Sequence, residues 1–275
     1  MERYKEIERS IIKRFRKEIW RKFISGINDY DMITPGDRIA VCISGGKDSM
    51  LLAKCMQEVQ KHGKMDFQLE FIVMDPGYNP ANRQKIINNA EIMNIPIKIF
   101  DSDIFNIVHD IEDSPCYLCA RMRRGYLYRY ARQLGCNKIA LGHHFDDVIE
   151  TTMMSMMYMG QFQTMMPKLH STNFEGMELI RPLYLVKEYD IKSWVRYNNL
   201  EFLQCACRFT EDTDRGTQDS KRQEMKRLIN QLREVSPVID MNIFQSAHNV
   251  NLNTVIGCEF NKEKYNFLDL YSKMR

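Results

Sequence analysis

Residues 38–50 read RIAVCISGGKDSM, and this stretch decides the fold. It opens with a short apolar run of the kind that forms a buried strand. Gly45 and Gly46 then permit a tight turn and the close approach of an oxyanion to the backbone. A helical pattern starts at residue 48, so the N–H groups and the dipole of a helix N-terminus follow the turn and favour a phosphate. The stretch therefore predicts a strand, an anion-binding loop that begins at Ser44, and a helix.

The loop also admits a simpler interpretation. Lys47 and Ser49 add a cation and a hydroxyl that suit a phosphate, but Asp48 or Ser49 could equally cap an ordinary strand-to-helix turn. Two common nucleotide motifs, G-x-x-x-x-G-K-[ST] and G-x-G-x-x-G, are absent here. Their absence argues against γ-phosphate hydrolysis and against dinucleotide binding.

Apolar runs and helical patterns alternate beyond this stretch. The further predicted strands are 69–74, 95–100 and 137–142, and the predicted helices are 48–62, 80–93 and 118–134. Strands separated by helices predict an α/β fold with a doubly wound, mostly parallel sheet of the Rossmann type, covered on both faces. Such sheets bind ligands at the carboxyl ends of their strands.

The two ends of the chain differ from this alternating pattern. An amphipathic helix is predicted over 3–26. A loop and a helix are predicted within 180–199 and another helix within 211–234, and the stretch after Pro237 has no assignment. The predicted segments are an N-terminal helical segment (1–33), a central α/β domain (34–235) and a C-terminal helical extension (236–275).

Composition places the chain among ordinary globular proteins. It has 275 residues, of which 44% are hydrophobic and 27% are charged, enough for one large α/β domain with an appendage. No window approaches the roughly 18 apolar residues of a membrane span. The N-terminus is charged and lacks the apolar region of a signal peptide. We therefore expect a cytoplasmic protein without a membrane segment.

Positive charge is concentrated in two stretches although the net charge is only +3. Residues 1–24 hold nine Lys or Arg against four Glu, and residues 121–132 hold five Arg and no acidic residue. Such patches are compatible with a polyanionic partner such as nucleic acid, and equally with a solvated helix face.

The eight cysteines include two groups that suit a metal. In a reducing compartment, clustered cysteines are more often metal ligands or redox groups than disulfides. Cys116 and Cys119 form a C-x-x-C motif, and Cys205 and Cys207 lie far downstream. Together they could supply a four-thiolate zinc site, or three thiolates of an iron–sulfur cluster with one open iron position. The other cysteines are predicted to be buried or incidental, namely Cys42, Cys55, Cys136 and Cys258.

Residues 141–147, LGHHFDD, place two histidines and two aspartates after a predicted strand. One hypothesis is a metallohydrolase site with His143, His144, Asp146 and Asp147 as ligands, but no second His/Asp cluster completes it. Another is simple N-capping of the next helix by the aspartates, which also complement its dipole. The third is a role in nucleotide binding.

A resemblance to a known family favours the nucleotide role. SGGKDS (44–49) resembles the pyrophosphate loop, S-G-G-x-D-S, of the adenine-nucleotide α-hydrolase (PP-loop) family. The resemblance implies ATP cleavage between the α- and β-phosphates, so that a substrate oxygen is adenylated and then displaced. It implies ATP contacts from Ser44, Gly45, Gly46, Lys47, Asp48, Ser49, Met74, Asp75, Gly142 and His143. It also implies that Asp147 is a Mg²⁺ ligand or an acid/base group. Lys47 and Asp48 are the other two catalytic residues implied.

A second resemblance covers residues 34–225. The stretch CYLCARMRRGYLYRYARQLGCNKIALGHHFDD (116–147), with MMPKLH (165–170) and IRPL (180–183), resembles the tRNA-thiolating 2-thiocytidine synthetase (TtcA) type. The resemblance implies that Cys116, Cys119 and one later cysteine hold a [4Fe–4S] cluster with one iron not ligated by protein. Register favours Cys205 as the third ligand, with Cys207 as the alternative, although the family's usual P-C-x-x-C context is Gln-Cys-Ala-Cys here.

The function implied is an ATP-dependent tRNA sulfurtransferase that replaces O2 of an anticodon-loop cytidine (position 32 in the family) with sulfur. The partners implied are tRNA, ATP and Mg²⁺, and a sulfide or persulfide sulfur donor. Separately, the apolar side of the amphipathic N-terminal helix predicts a homodimer in which this helix packs against a second copy of the chain. The arginines of 121–132, set among tyrosines, would hold the tRNA. Alternatives are a thiolase or desulfurase acting on another tRNA uridine or a small molecule, and a zinc-stabilised nucleotide-binding regulator.

Overall fold

The computed structural model describes residues 2–63, 65–102, 104, 115–203 and 221–271, except for the side chains of 115–121 and 270. In these ranges a six-stranded sheet has the order β3-β2-β1-β4-β6-β5. Its strands are β1 (Arg38–Ile43), β2 (Gln68–Asp75), β3 (Ile97–Asp101), β4 (Lys138–Ala140), β5 (Lys168–His170) and β6 (Glu178–Ile180). All neighbouring strands are parallel except β5 and β6, which are antiparallel.

Helices follow most of the strands. They are α1 (Arg3–Arg9), α2 (Arg21–Asp29), α3 (Lys47–His62), α4 (Pro80–Ile92), α5 (Pro115–Gln133), α6 (Phe145–Met159), α7 (Glu188–Tyr197), α8 (Lys221–Val235), α9 (Ile239–Ser246) and α10 (Phe267–Tyr271). Two π-helical turns, Ser10–Arg14 and Arg16–Trp20, join α1 to α2. The mostly parallel sheet with flanking helices confirms the predicted fold class.

The order of the strands creates a topological switch point between β1 and β4. From β1 the chain moves through α3 to β2 and then to β3 on one side, whereas β4 pairs with the other edge of β1. The loops that leave the carboxyl ends of β1 and β4 therefore diverge, and a crevice opens between them. These loops are the glycine loop after Ile43 and the His/Asp stretch after Ala140.

The antiparallel strands β5 and β6 were absent from the sequence prediction. Each has only three residues, and β6 pairs with β4 through a register that joins Lys138 to Glu178. A strand this short carries no periodicity of its own, so its existence depends on a partner distant in sequence. The hairpin matters because it brings Arg181, directly after β6, to the edge of the crevice.

The N-terminal helices pack into the core. The apolar side chains of Ile7, Ile11, Ile19 and Phe23 are fully buried. The Ser10 hydroxyl, also buried, accepts a hydrogen bond from Trp194 Nε1 at 3.1 Å. The apolar side of the N-terminal helix, which suggested contact with a second subunit, is thus buried within the chain. The homodimer therefore stays a prediction, and the burial of this helix gives it no support.

Contacts divide the chain into two compact units. One comprises residues 1–148 and 165–218 and contains the sheet; the other comprises 149–164 and 219–275. The second unit holds α8, α9 and a hairpin of β7 (Gly257–Phe260) and β8 (Glu263–Asn266). The segment borders predicted at 33 and 235 stay a prediction. No helix in the described part of the chain is both long and apolar enough to cross a membrane.

Candidate active site

The glycine loop joins β1 to α3 without a side-chain cap. Gly45 adopts a φ of +83°, in the left-handed region that favours glycine. Gly46 precedes the first turn of α3, and no side chain in the described ranges caps that turn. Ser49 tightens the loop, because its hydroxyl accepts from Ser44 N–H at 3.2 Å and donates to the Gly46 carbonyl at 2.9 Å. The uncapped N-terminus is suited to bind a phosphate.

Gly142 allows the loop after β4 to touch the start of α3. A Cβ at this position would lie 3.0 Å from Ser49 N and 3.1 Å from the Asp48 carbonyl carbon. Both neighbours are backbone atoms, so any larger residue would push the two loops apart. This close approach places His143 and Asp147 opposite the glycine loop, on the wall of a shared cavity.

Asp147 and His144 cap α6 reciprocally. Asp147 Oδ2 accepts from the His144 backbone N–H at 2.9 Å, and the Asp147 N–H lies 3.4 Å from His144 Nδ1. This is the geometry of a capping box at the start of a helix. The His144 ring also approaches the glycine loop, with Nε2 3.9 Å from Asp48 Oδ1.

Asp146 serves a different helix. Its Oδ2 accepts from the Glu188 N–H at 2.7 Å and so caps α7. Glu188 in turn pairs with Lys47 Nζ at 3.2 Å, and Lys47 also contacts Asp48 Oδ2 at 3.0 Å. Burial lowers the pKa of Lys47, but the two carboxylates outweigh burial and raise the pKa overall. Lys47 is therefore held as a cation behind Asp48.

A cavity of about 610 Å³ lies at the switch point. Among the predicted site residues, its lining includes Ser44, Asp48, Ser49, Met74, Gly142, His143 and Asp147. Gly45, Gly46, Lys47 and Asp75 are not part of the lining. The carboxylate of Asp75 instead accepts from the Gly77 and Tyr78 N–H groups at 2.8 and 2.7 Å, and so shapes the turn after β2.

Asp48 carries an atom that suits a cation. Its Oδ1 is buried, and no donor in the described ranges lies within hydrogen-bond distance of it. Asp147 lies on the same cavity. Mg²⁺ is commonly bound by one or two carboxylates together with substrate phosphates, so this pair fits such an ion. No group of three or more potential ligands from His, Cys, Asp and Glu occurs in the described ranges.

The cavity lining also includes three arginines that the sequence did not assign to this site, namely Arg123, Arg124 and Arg181. The first two come from the arginine-rich helix, which predicted a polyanionic partner without indicating which side chains would meet it. Arg181 belongs to the quoted IRPL motif, yet nothing local marks it as a site residue. Burial lowers the pKa of Arg181 to about 10.

Cys42 also lines the cavity, at the end of β1. The thiol is buried, as predicted, and burial raises its pKa. Cys55 and Cys136 are buried as well, whereas Cys258 is exposed. All four are free thiols.

The proposed cluster ligands lie largely outside the described residues. Cys116 and Cys119 fall in the first turns of α5, but their side chains are among those not described, and Cys205 and Cys207 lie in the gap after residue 203. The flanking residues are informative. Leu203 donates its N–H to the Gly45 carbonyl at 3.2 Å, and Arg123, one turn beyond Cys119, lines the cavity.

A substitution in the glycine loop tests whether its shape matters for ATP. In Gly45→Ala the new Cβ would lie 2.6 Å from Ile86 Cγ1 and would also strain a positive φ. We expect the dissociation constant for ATP, measured by calorimetry, to rise about tenfold or more, since small misplacements of a binding loop are costly.

Gly36→Ala is the matched control for Gly45→Ala. Gly36 has a φ of +86°, and a Cβ at this position would meet no atom of the described residues within 4 Å. The variant therefore shares the backbone strain, worth roughly 1–2 kcal/mol of unfolding free energy, without the contact at the loop. Equal ATP affinities in the two variants would contradict a role for the loop in ATP binding.

Comparison with known proteins identifies the class to which this site belongs. The family described as PP-loop domain matches residues 14–229. A tRNA-cytidine(32) 2-sulfurtransferase of Coxiella burnetii is 35% identical over 266 residues, which are 94% of this chain and 98% of that protein. One from Neisseria meningitidis is 41% identical over 182 residues, 65% of this chain and 57% of that protein.

The chain belongs to the PP-loop family, and within it to the tRNA-cytidine(32) 2-sulfurtransferases. Both resemblances drawn from the sequence are thereby confirmed. Among solved structures, U34-tRNA thiolase NcsA from Methanococcus maripaludis with its [4Fe-4S] cluster superposes with a TM-score of 0.64. It is 21% identical, and the match covers 83% of this chain and 76% of NcsA, a likeness of fold.

Proposed function

We propose that this chain uses ATP to replace O2 of a tRNA cytidine with sulfur and so forms 2-thiocytidine. The observation that carries the proposal is the cavity at the switch point, which is lined by the uncapped N-terminus of α3 with its Asp48, by Asp147 and by three arginines. Full-length similarity to a protein of that named activity supports it. The target is the cytidine at position 32, the site in the relative's name.

The glycine loop is proposed to bind the phosphates of ATP. Its backbone N–H groups and the α3 dipole neutralise negative charge where it builds up at phosphorus. Attack of the cytosine O2 on the α-phosphorus forms the adenylated base and releases pyrophosphate. A sulfur nucleophile then adds to C2, and O2 departs in AMP. Met74, near the end of β2, is proposed to contact the adenine, since its side chain lines the same cavity.

Asp48 and Asp147 are proposed to hold Mg²⁺. Mg²⁺ supplies charge neutralisation to the triphosphate when bound. Lys47, paired with Asp48 and Glu188, keeps the Asp48 carboxylate in place and adds a fixed positive charge behind the loop. Gly142 and His143 form the opposite wall, and Arg123 adds a cation from α5.

A [4Fe–4S] cluster is proposed to be held by Cys116, Cys119 and Cys205, with Cys207 as the alternative third ligand. If bound with one iron not ligated by protein, such a cluster would supply a binding position for sulfide, which comes from a sulfide donor directly or from a persulfide donor together with a two-electron reductant. Two observations support its place beside ATP: α5 carries the C-x-x-C motif directly before cavity residue Arg123, and Leu203 lies against Gly45 two residues before Cys205.

Nucleoside analysis of tRNA from a deletion strain tests the function. We expect 2-thiocytidine to disappear from the strain and to return when the chain is supplied from a plasmid. Loss of a different thionucleoside, with 2-thiocytidine intact, would favour the alternative of a thiolase acting on another base. A purified protein that contains zinc and no iron would favour the zinc-stabilised regulator.

A further inference from the structure

A second cavity, of about 400 Å³, adjoins the nucleotide cavity. Residues of α5 form one wall and residues of the β5–β6 hairpin and its loop form the other. Arg124, Leu179 and Arg181 line both cavities, so the two meet at these side chains. The volume falls within the range of small-ligand sites, which is about 300–1,000 Å³.

Arg181 at this junction is a buried cation with incomplete pairing. Arg181 is only 9% exposed to solvent. One terminal nitrogen donates to the Met166 carbonyl, whereas the buried Nε has no acceptor in the described ranges. No carboxylate in those ranges lies within ion-pair distance of the guanidinium. A buried charge of this kind is stabilised by an anion that reaches it from a cavity.

The rest of the second cavity is suited to a base. Tyr128 and Phe174 stack with ring centroids 5.0 Å apart and an interplanar angle of 11°. Phe174 is half-buried, and the adjacent Thr172 and Asn173 are exposed on the same loop. Aromatic rings beside arginines and short polar side chains are the combination by which proteins bind single-stranded RNA.

We propose that this second cavity binds a nucleotide of the tRNA next to the target cytidine, with its phosphate at Arg124 and Arg181. The inference rests on the proposed function. RNA in this cavity and ATP in the first would meet at Arg181, where the cytosine O2 must reach the α-phosphorus. Arg181 would thus act as a positioning residue between the two substrates. A free nucleotide would use the same chemistry, and the experiment separates the two sources.

The test is the double variant Thr172→Glu/Asn173→Asp, which adds two negative charges at exposed positions of the cavity wall. We expect the dissociation constant for unmodified tRNA transcript to rise about tenfold at fixed salt, because added carboxylates repel the phosphates. The dissociation constant for ATP should change by less than about twofold. In Arg124→Gln, the slope of log Kd against log salt should fall by about one.

Asn88→Asp/Asn94→Asp is the matched control. It adds the same charge at two exposed positions on and after α4, which line neither of the two cavities. Wild-type tRNA affinity in Thr172→Glu/Asn173→Asp would overturn the inference and leave the proposed function intact. A loss of ATP affinity instead of tRNA affinity would overturn it too and assign the cavity to a free nucleotide. Absence of 2-thiocytidine formation by the wild-type chain would overturn the function itself.

Discussion

Asp147→Asn is expected to lower the rate of tRNA thiolation at least about 100-fold while the protein stays folded. The asparagine oxygen can still accept from the His144 N–H, as Asp147 does at 2.9 Å, and Asn caps helices as well as Asp. The melting temperature should therefore change little. The negative charge at the cavity wall is lost, and the proposed Mg²⁺ ligand is lost with it. Thiolation is measured with purified protein and unmodified tRNA at several Mg²⁺ concentrations.

Asp146→Asn is the matched control, one residue away. It makes the same chemical change in a buried side chain that caps α7 through Glu188. We expect its thiolation rate to stay within about threefold of wild type, since Asn also caps helices. If both variants lost activity equally, the loss would reflect helix capping, and a catalytic place for Asp147 would be contradicted.

Cys116→Ala is expected to abolish thiolation, with a loss beyond about 1,000-fold, and to remove the iron–sulfur absorbance of anaerobically purified protein. A cluster with two remaining thiolates is not retained, because such clusters are held by cysteine thiolates. ATP affinity should remain, since the glycine loop and the described part of the cavity lining come from other residues. Iron and sulfide content, the visible spectrum and ATP calorimetry are measured on the same preparation.

Cys258→Ala controls for the general effect of losing a thiol. Cys258 is an exposed free cysteine on β7, in the unit that does not contain the sheet. Its removal should leave iron content and thiolation unchanged. Cys205→Ala and Cys207→Ala then distinguish the two candidates for the third ligand, because only removal of the true ligand should lead to loss of the cluster. Retained thiolation in Cys116→Ala would contradict a cluster role for the C-x-x-C motif.

The regular core could be predicted because its signals are local. The strand over 38–43 was found as predicted, and the helix predicted over 48–62 begins one residue earlier, at Lys47. A glycine pair after an apolar run indicates both the end of the strand and the start of the helix. The alternation of strands and helices also predicts a ligand site at the carboxyl ends of the strands, whereas the strand order that opens the crevice is known only from the structure.

The remaining features of the site depend on contacts between distant residues. Nothing around Asp146 reveals that it will cap a helix starting at Glu188. Nor does IRPL reveal that Arg181 will be buried between two cavities, since that requires the pairing of β4 with β6. Two of the four residues that suggested a metal site in LGHHFDD, His144 and Asp146, make capping contacts in the fold.

The burial of Cys42 has a consequence for side reactions. An adenylated cytosine is an electrophile, and any thiolate within reach would compete with the sulfur donor for C2. Cys42 lies on the wall of the cavity at the switch point, where ATP is proposed to bind, yet burial raises the pKa of its thiol and keeps it protonated. The thiolate is the reactive form of cysteine. A cysteine at this wall is therefore compatible with a reactive intermediate, because the protonated thiol does not attack C2 of the adenylated cytosine.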